Sequence, residues 1–224
     1  MIKLNKSEYV EELIYMENII AIIGGTGKAG KYLAEIAIQK GYKVRLLVRS
    51  PEKLTFSNPN VSFIQGDARD ADSIYSLING CDVVINTFGQ PNRAKPLYSE
   101  TTTLIVNTMK ELEIKRYIGV TGGSLDIKGD KKTLVNKLGA IAFRILYSEM
   151  ILDKKKELQI LEESKLDWTL VRLPFVKEHK KSKKIKVNSL DMPGFKISAE
   201  GIAQFLIEQV PCSSYIRKAP FISN

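Results

Sequence analysis

Histidine occurs once in the 224 residues, at His179, and cysteine twice, at Cys81 and Cys212. A single histidine excludes a multi-histidine metal site and any histidine-dependent triad beyond that one position, and His179 sits inside a lysine run that reads as a solvated loop. Two cysteines far apart in the chain give neither a disulfide framework nor a metal cluster, so a reducing compartment and no metal are expected. No apolar run approaches the roughly 18 residues that a bilayer span needs. Glu8, Glu11 and Glu12 interrupt any cationic-then-apolar signal layout, so a cytoplasmic chain with no membrane partner is expected. Glycine and proline number only 15 and 8, which excludes collagen-like and low-complexity classes.

What is present is a core-forming sequence, 44% hydrophobic and 26% charged, of a length that fits one large α/β domain. Its net charge of +9 and pI near 9.4 suit nucleic acid, acidic membranes or anionic ligands equally, so the positions of the charges must decide. Much of the excess falls in the run from Lys177 to Lys186, which has six lysines and one glutamate. That run has no interleaved aromatics and no DNA-reading motif, so a solvated loop is expected there and nucleic acid is not expected as a partner.

Short β-branched runs alternate with segments of helical period. Strands are expected at Ile19 to Ile23, Lys43 to Val48, Val61 to Gln65, Cys81 to Asn86, Arg116 to Val120 and Trp168 to Arg172. Helices are expected at Lys28 to Lys40, Ala71 to Asn79, Tyr98 to Glu113, Glu149 to Ser164 and, capped by Ser198, Ala199 to Val210. This alternation predicts an α/β, Rossmann-like, doubly wound parallel sheet of order 3-2-1-4-5-6, with a further short strand and helices on both faces.

Residues 1–15 read as an N-terminal extension, with Asn5 or Ser7 as cap and Val10, Leu13 and Ile14 as an apolar stripe. Met16 is a candidate natural start. Residues 16–224 read as a single Rossmann-like domain. Two long stretches, 122–147 and 174–194, follow strand carboxyl ends and are either substrate-side loops or plain surface insertions.

Gly24-Gly25-Thr26-Gly27-Lys28-Ala29-Gly30 joins the first strand to the first helix. Gly24 permits a tight turn, Gly27 allows backbone N–H groups to approach a pyrophosphate, and Gly30 lets the helix pack on the strand. The spacing is G-x-x-G-x-x-G, and the G-x-x-x-x-G-K-[ST] of an ATPase phosphate loop is absent. Arg49 ends the second strand, where an NAD enzyme carries an acidic residue for the ribose. A guanidinium there can pair with a 2′-phosphate, with Lys53 as a second cation, so the expected cofactor is NADP(H). Asp67, beside Ala68, is suited either to the adenine amino group or to an ordinary turn. Thr87, Phe88 and Gly89 follow the fourth strand at the switch point, where backbone is expected to run along the cofactor.

In order and spacing, several segments then carry a family likeness. They are Ile-Ile-Gly-Gly-Thr-Gly-Lys-Ala-Gly at 22–30, Leu-Val-Arg-Ser-Pro-Glu-Lys-Leu at 47–54, Gln-Gly-Asp-Ala-Arg-Asp at 65–70 and Asp-Val-Val-Ile-Asn at 82–86. Tyr-Ile-Gly-Val-Thr-Gly-Gly-Ser at 117–124 and Glu-Ser-Lys-Leu-Asp-Trp-Thr-Leu-Val-Arg-Leu-Pro at 163–174 continue it. Over residues 18–210 the chain resembles the atypical short-chain dehydrogenase/reductases of the NAD(P)H-binding, NmrA-like type, close to the biliverdin reductase B/flavin reductase group. The resemblance implies NADP(H) and hydride transfer to a small acceptor such as a flavin, quinone or carbonyl compound, in a monomer or homodimer.

The chain departs from many short-chain dehydrogenases in having no Tyr-x-x-x-Lys pair. Lys154, Lys155 and Lys156 are preceded four residues earlier by Met150, Ile151 and Leu152. An NADPH-dependent reductase whose acceptor needs little protein-supplied acid is therefore expected. Thr121 and Ser124 would orient nicotinamide or substrate, Tyr147 would be a proton donor, and Pro174 would close the cofactor side. Phe175 would either line the acceptor pocket or pack under the last helix, and Trp168 reads as core. The alternative is a non-catalytic, NADP(H)-sensing regulatory protein.

Overall fold

A computed structural model describes residues 18–53, 58–90, 95–178 and 184–224. The expectations for residues 1–15, Met16 and His179 lie outside the described residues.

The inner β-branched runs, such as Ile19–Ile23 and Val83–Asn86, form strands covered on both faces, whereas the edge run Val61–Gln65 is only partly buried. β1 (Ile19–Ile23), β2 (Lys43–Val48), β3 (Val61–Gln65), β4 (Val83–Asn86), β5 (Arg116–Gly122) and β6 (Asp167–Leu173) pair in parallel. Together with β8 (Lys186–Asn188) and β10 (Phe221–Ser223) they form one sheet of order β3-β2-β1-β4-β5-β6-β10-β8. The expected order 3-2-1-4-5-6 is its core. Where one further strand was expected, two join: β10 runs parallel to β6, and β8 closes the edge antiparallel to β10. β7 (Phe175–Lys177) and β9 (Lys196–Ser198) pair separately.

Alternate residues of each strand feed two cores. On one face Ile20, Ile22, Leu46 and Ile85 pack on α1 (Gly30–Gln39) and α6 (Ala199–Glu208). On the other, Ala21, Ile23, Val84, Trp168 and Leu170 pack on α2 (Ala71–Ile78), α3 (Tyr98–Glu111) and α5 (Ser148–Glu163). Trp168 is core, as read. Side-chain caps set two helix starts: Asp70 accepts from Ser73 N and Ser198 from Gly201 N.

The stretch 122–147, read as a loop, contains a helix, α4 (Leu134–Leu146). Ala140 is its only buried residue, so its apolar periodicity does not mark a core-facing stripe. The loop before it is tied to the sheet by Arg172. That guanidinium is buried, bonds both Asp130 carboxylate oxygens at 2.8 and 2.7 Å, and lies 3.5 Å over the Phe221 ring. Burial lowers the Arg172 pKa, and the Asp130 bond opposes that shift.

Candidate functional site: a dinucleotide cleft beside an apolar cavity

The sheet order reverses between β1 and β4, and a cleft of about 660 Å³ opens at their carboxyl ends. Gly24 turns the chain out of β1 with φ +81°, and a Cβ there would stand 2.6 Å from the Thr87 carbonyl oxygen. Gly30 is equally constrained, since its Cβ would meet Gly24 O at 2.1 Å. Gly27 N donates to Gly24 O at 2.9 Å, and Thr87 Oγ1 donates to Ile23 O at 3.0 Å, which fixes the turn. The start of α1 has no side-chain cap and no acidic residue in its first turn. Its uncapped donors and positive dipole end are therefore available to an anion. A glycine cradle that side chains would fill, beside an uncapped helix start, fits the pyrophosphate of a dinucleotide.

Most residues expected to bind the cofactor converge here. Gly24, Thr26, Gly27, Lys28, Ala29, Gly30, Arg49, Asp67, Ala68, Thr87, Phe88 and Gly89 all line the cleft. Gly25 is buried behind the turn against Leu46. Lys53 lies in the single 3-10 turn after β2, and its side chain is outside what is described. Arg49 is exposed and makes no salt bridge among the described residues. Asp67 accepts from Arg69 Nε and Nη2 at 2.9 and 2.8 Å. The Arg69 bond, with smaller help from the Arg49 charge, holds the Asp67 carboxyl at about 2. Leu173, Val176 and Ile202 also line the cleft, although nothing local in the sequence marks them.

A second cavity of about 490 Å³ shares Leu173 and Val176 with the cleft. Ser124, Pro174 and Phe175 line it, as do Val135, Phe143 and Met192 from the two long stretches and Phe195 just beyond the second. Pro174 thus sits on the cavity side and not in the dinucleotide cleft, because β6 ends at Leu173 and the chain turns outward there. The Ser124 hydroxyl has no hydrogen-bond partner among the described residues. Lys132 lines the cavity, but its ammonium is bound by Asp126 at 2.6 Å and Gly123 O at 3.0 Å. Tyr147 joins α4 to α5 and stacks on Phe143 with centroids 4.6 Å apart. Thr121 lines neither cavity; its Oγ1 is buried in β5 without a partner.

Lys154, four residues after Met150, points inward. Its ammonium bonds Glu157 Oε2 at 2.8 Å and lies 3.6 Å over the Tyr98 ring. It is thereby committed to the α3–α5 interface.

A family model for NAD(P)H-binding proteins matches residues 24–212, most of the chain. The chain belongs to this NAD(P)H-binding family. Among curated proteins, an isoflavone reductase homologue of Nicotiana glauca is 35% identical over 109 residues, covering 44% of this chain and 33% of that protein. Eugenol synthase 1 of Petunia hybrida is 36% identical over 108 residues, with the same shares. The match thus spans about a third of those relatives' length.

Solved structures show the Rossmann-like fold of this NAD(P)H-binding protein over nearly its full length. A short-chain dehydrogenase/reductase from Veillonella parvula in complex with NADP has TM-score 0.75 at 18% identity, covering 93% of this chain and 95% of that one. ChuY, an anaerobilin reductase from Escherichia coli O157:H7, has TM-score 0.75 at 16% identity, covering 92% and 97%.

Proposed function

We propose that this NAD(P)H-binding protein is an oxidoreductase that uses NADP(H) to reduce a small acceptor, a flavin, quinone or carbonyl compound, without a Tyr-x-x-x-Lys pair. The observation that carries this reading is the pair of adjoining cavities, which share Leu173 and Val176 as a common wall. One has the chemistry of a dinucleotide site and the other is lined mainly by apolar side chains, the division of labour expected when a cofactor does the redox chemistry and the protein positions it. The NAD(P)H-binding family and the relatives named as reductases agree with it.

In this reading the backbone N–H groups from Gly24 to Gly30 hold the pyrophosphate, and Arg49, with Lys53, takes the 2′-phosphate. A bound reduced nicotinamide supplies hydride. The Ser124 hydroxyl donates to an oxygen of the acceptor, whereas Tyr147 packs on Phe143 outside the cavity lining and would have to turn toward the acceptor to serve as proton donor. Phe143, Met192, Phe175 and Phe195 exclude water around the acceptor. Lys154 takes no part, because Glu157 and Tyr98 already hold its ammonium.

The test is NADPH oxidation measured against a panel of quinones, free flavins and small carbonyls, beside NADPH binding by fluorescence. Turnover with at least one acceptor class, lost in Phe143→Asp, is expected. The absence of a proton-donating pair favours one second reading, an NADP(H) sensor. Tight NADPH binding with no turnover across the panel would establish that reading in place of the first.

A further inference from the structure

The most exposed apolar surface of the described residues is α4. Leu134, Leu138, Ile141 and Ile145 recur at spacings of four and three residues along one side of the helix. Their exposures run from 44% at Ile141 to 78% at Leu134. Val135, Ala142 and Leu146 widen the stripe on one flank, and Val135 and Leu146 are 64% and 74% exposed. The opposite side, with Asn136, Ala140 and Phe143, seats the helix on the protein and lines the second cavity. An apolar face left outward on a helix that is already packed needs an occupant.

The charges around α4 select one. The helix contains Lys137 and Arg144 and no carboxylate. Two carboxylates near its start are neutralised, Asp126 by Lys132 and Arg144 and Asp130 by Arg172, while Asp191 keeps its charge and is hydrogen-bonded by Thr133 N and Asn136 Nδ2. Glu149 follows the helix on α5, exposed. Lys128, Lys131 and Lys137 remain exposed and form no ion pair among the described residues, and Lys177, Lys184 and Lys186 are exposed beyond them. A second copy paired through α4 would bring the unpaired Lys137 toward its own copy with no carboxylate on either helix to answer it, Arg144 being paired already with Asp126. The apolar arc is also broader than the two-per-heptad seam of a helix pair. A wide apolar face with the unpaired Lys137 on the same helix, and the unpaired Lys128 and Lys131 in the loop that leads into it, is the pattern of a helix lying in a lipid interface.

We infer that α4 docks this protein on an anionic membrane surface, with its Leu134/Leu138/Ile141/Ile145 face in the acyl boundary and the lysines on the headgroups. Nothing in this depends on the redox activity proposed above. The composition points to no membrane partner because an interfacial helix needs no long apolar run; thirteen residues with one apolar face suffice. Docking in this way sets the mouth of the second cavity, rimmed by Val135, Phe175 and Phe195, against the lipid.

The test is flotation of the full chain with vesicles of equimolar phosphatidylcholine and phosphatidylglycerol, beside vesicles of phosphatidylcholine alone. The protein is expected to float with the anionic vesicles, and raising the salt to about 0.5 M should release most of it. Leu138→Gln/Ile145→Gln, at positions outside both cavities, should reduce binding by about tenfold or more with NADPH binding and circular dichroism unchanged. A second variant, Lys128→Glu/Lys131→Glu/Lys137→Glu, removes the charge without touching the apolar face and should lose the anionic preference. No flotation with anionic vesicles, or flotation that neither variant reduces, overturns the inference. So does light scattering that shows a dimer dissociated by Leu138→Gln/Ile145→Gln, since a second copy would then cover α4.

Discussion

Replacing Gly24 with alanine tests the turn on which the dinucleotide cleft depends, and the structure separates the cost into two parts. The first is conformational. Gly24 has φ +81°, and a residue with a Cβ in that region loses about 1–2 kcal/mol. The second is steric. The new Cβ would stand 2.6 and 2.7 Å from the carbonyl oxygen and carbon of Thr87. Both are backbone atoms, held where Thr87 N donates to Ile23 O at 2.9 Å, so the β4 loop must move at a cost of about 1–3 kcal/mol. The sum is about 2–5 kcal/mol. Gly80 provides the control: its φ is +76° and nothing lies within 4 Å of where a methyl group would stand, so only the first cost applies.

For a chain of this size 1 kcal/mol corresponds to about 2–4 °C in Tm. Gly80→Ala should therefore melt about 2–8 °C below the wild type, and Gly24→Ala several degrees lower still. Urea unfolding and fluorescence titration with NADPH make up the assay. Gly24→Ala should bind NADPH at least about tenfold more weakly, because Gly24 and Thr87 both line the cleft, while Gly80→Ala should bind normally. If the two variants unfold at the same urea concentration, the close approach of the turn to Thr87 is refuted. If they bind NADPH equally well, the turn is not the binding element.

Arg49→Gln should weaken NADPH by about tenfold or more and NADH by less than about twofold, as read from paired titrations; an equal change for both would remove the 2′-phosphate assignment. Asp130→Ala leaves the Arg172 guanidinium, 2% exposed, without its counter-charge and should cost about 3–5 kcal/mol in urea unfolding. A loss below about 1 kcal/mol would show that water reaches Arg172. Asp67 titrates at about 2 in the folded chain against an ordinary 3.8, so its pairing with Arg69 stabilises the fold above 3.8 and that contribution disappears as pH falls toward 2. The pair is partly exposed, so less than about 1 kcal/mol is at stake. Asp67→Asn should flatten the stability curve across that window, and a curve of unchanged slope would contradict the pairing.

The inner strands were readable as apolar runs because a strand covered on both faces has no polar side, unlike the partly exposed edge strand β3, and the glycine turn was readable because its geometry excludes side chains locally. Helix α4 was not foreseen. Its apolar spacing stands in the letters, and Thr133 stands at its N-cap position, although the Thr133 side chain makes no cap bond in the structure. Nor was the second cavity: Val135 and Phe143 come from one long stretch, Met192 from the other and Phe195 from just beyond it, and only their packing together creates the space. The absence of a Tyr-x-x-x-Lys pair could be read directly, whereas the fate of Lys154 depends on Glu157 and on Tyr98 from another helix.

The sequence by itself determined the elements whose causes are local: which runs are buried strands, where the chain must be glycine, and where a cation replaces an acid at the end of β2. Tertiary structure decided which of those groups are free to act. Among the described residues Arg49 and Ser124 are left without a hydrogen-bond or ion-pair partner, while Asp67, Lys132 and Lys154 are consumed by Arg69, Asp126 and Glu157. The reason is that a charge or hydroxyl is available to a ligand only when nothing nearer satisfies it. For Ser124 and Lys154 in particular, the answer was set by neighbours that the fold brings alongside.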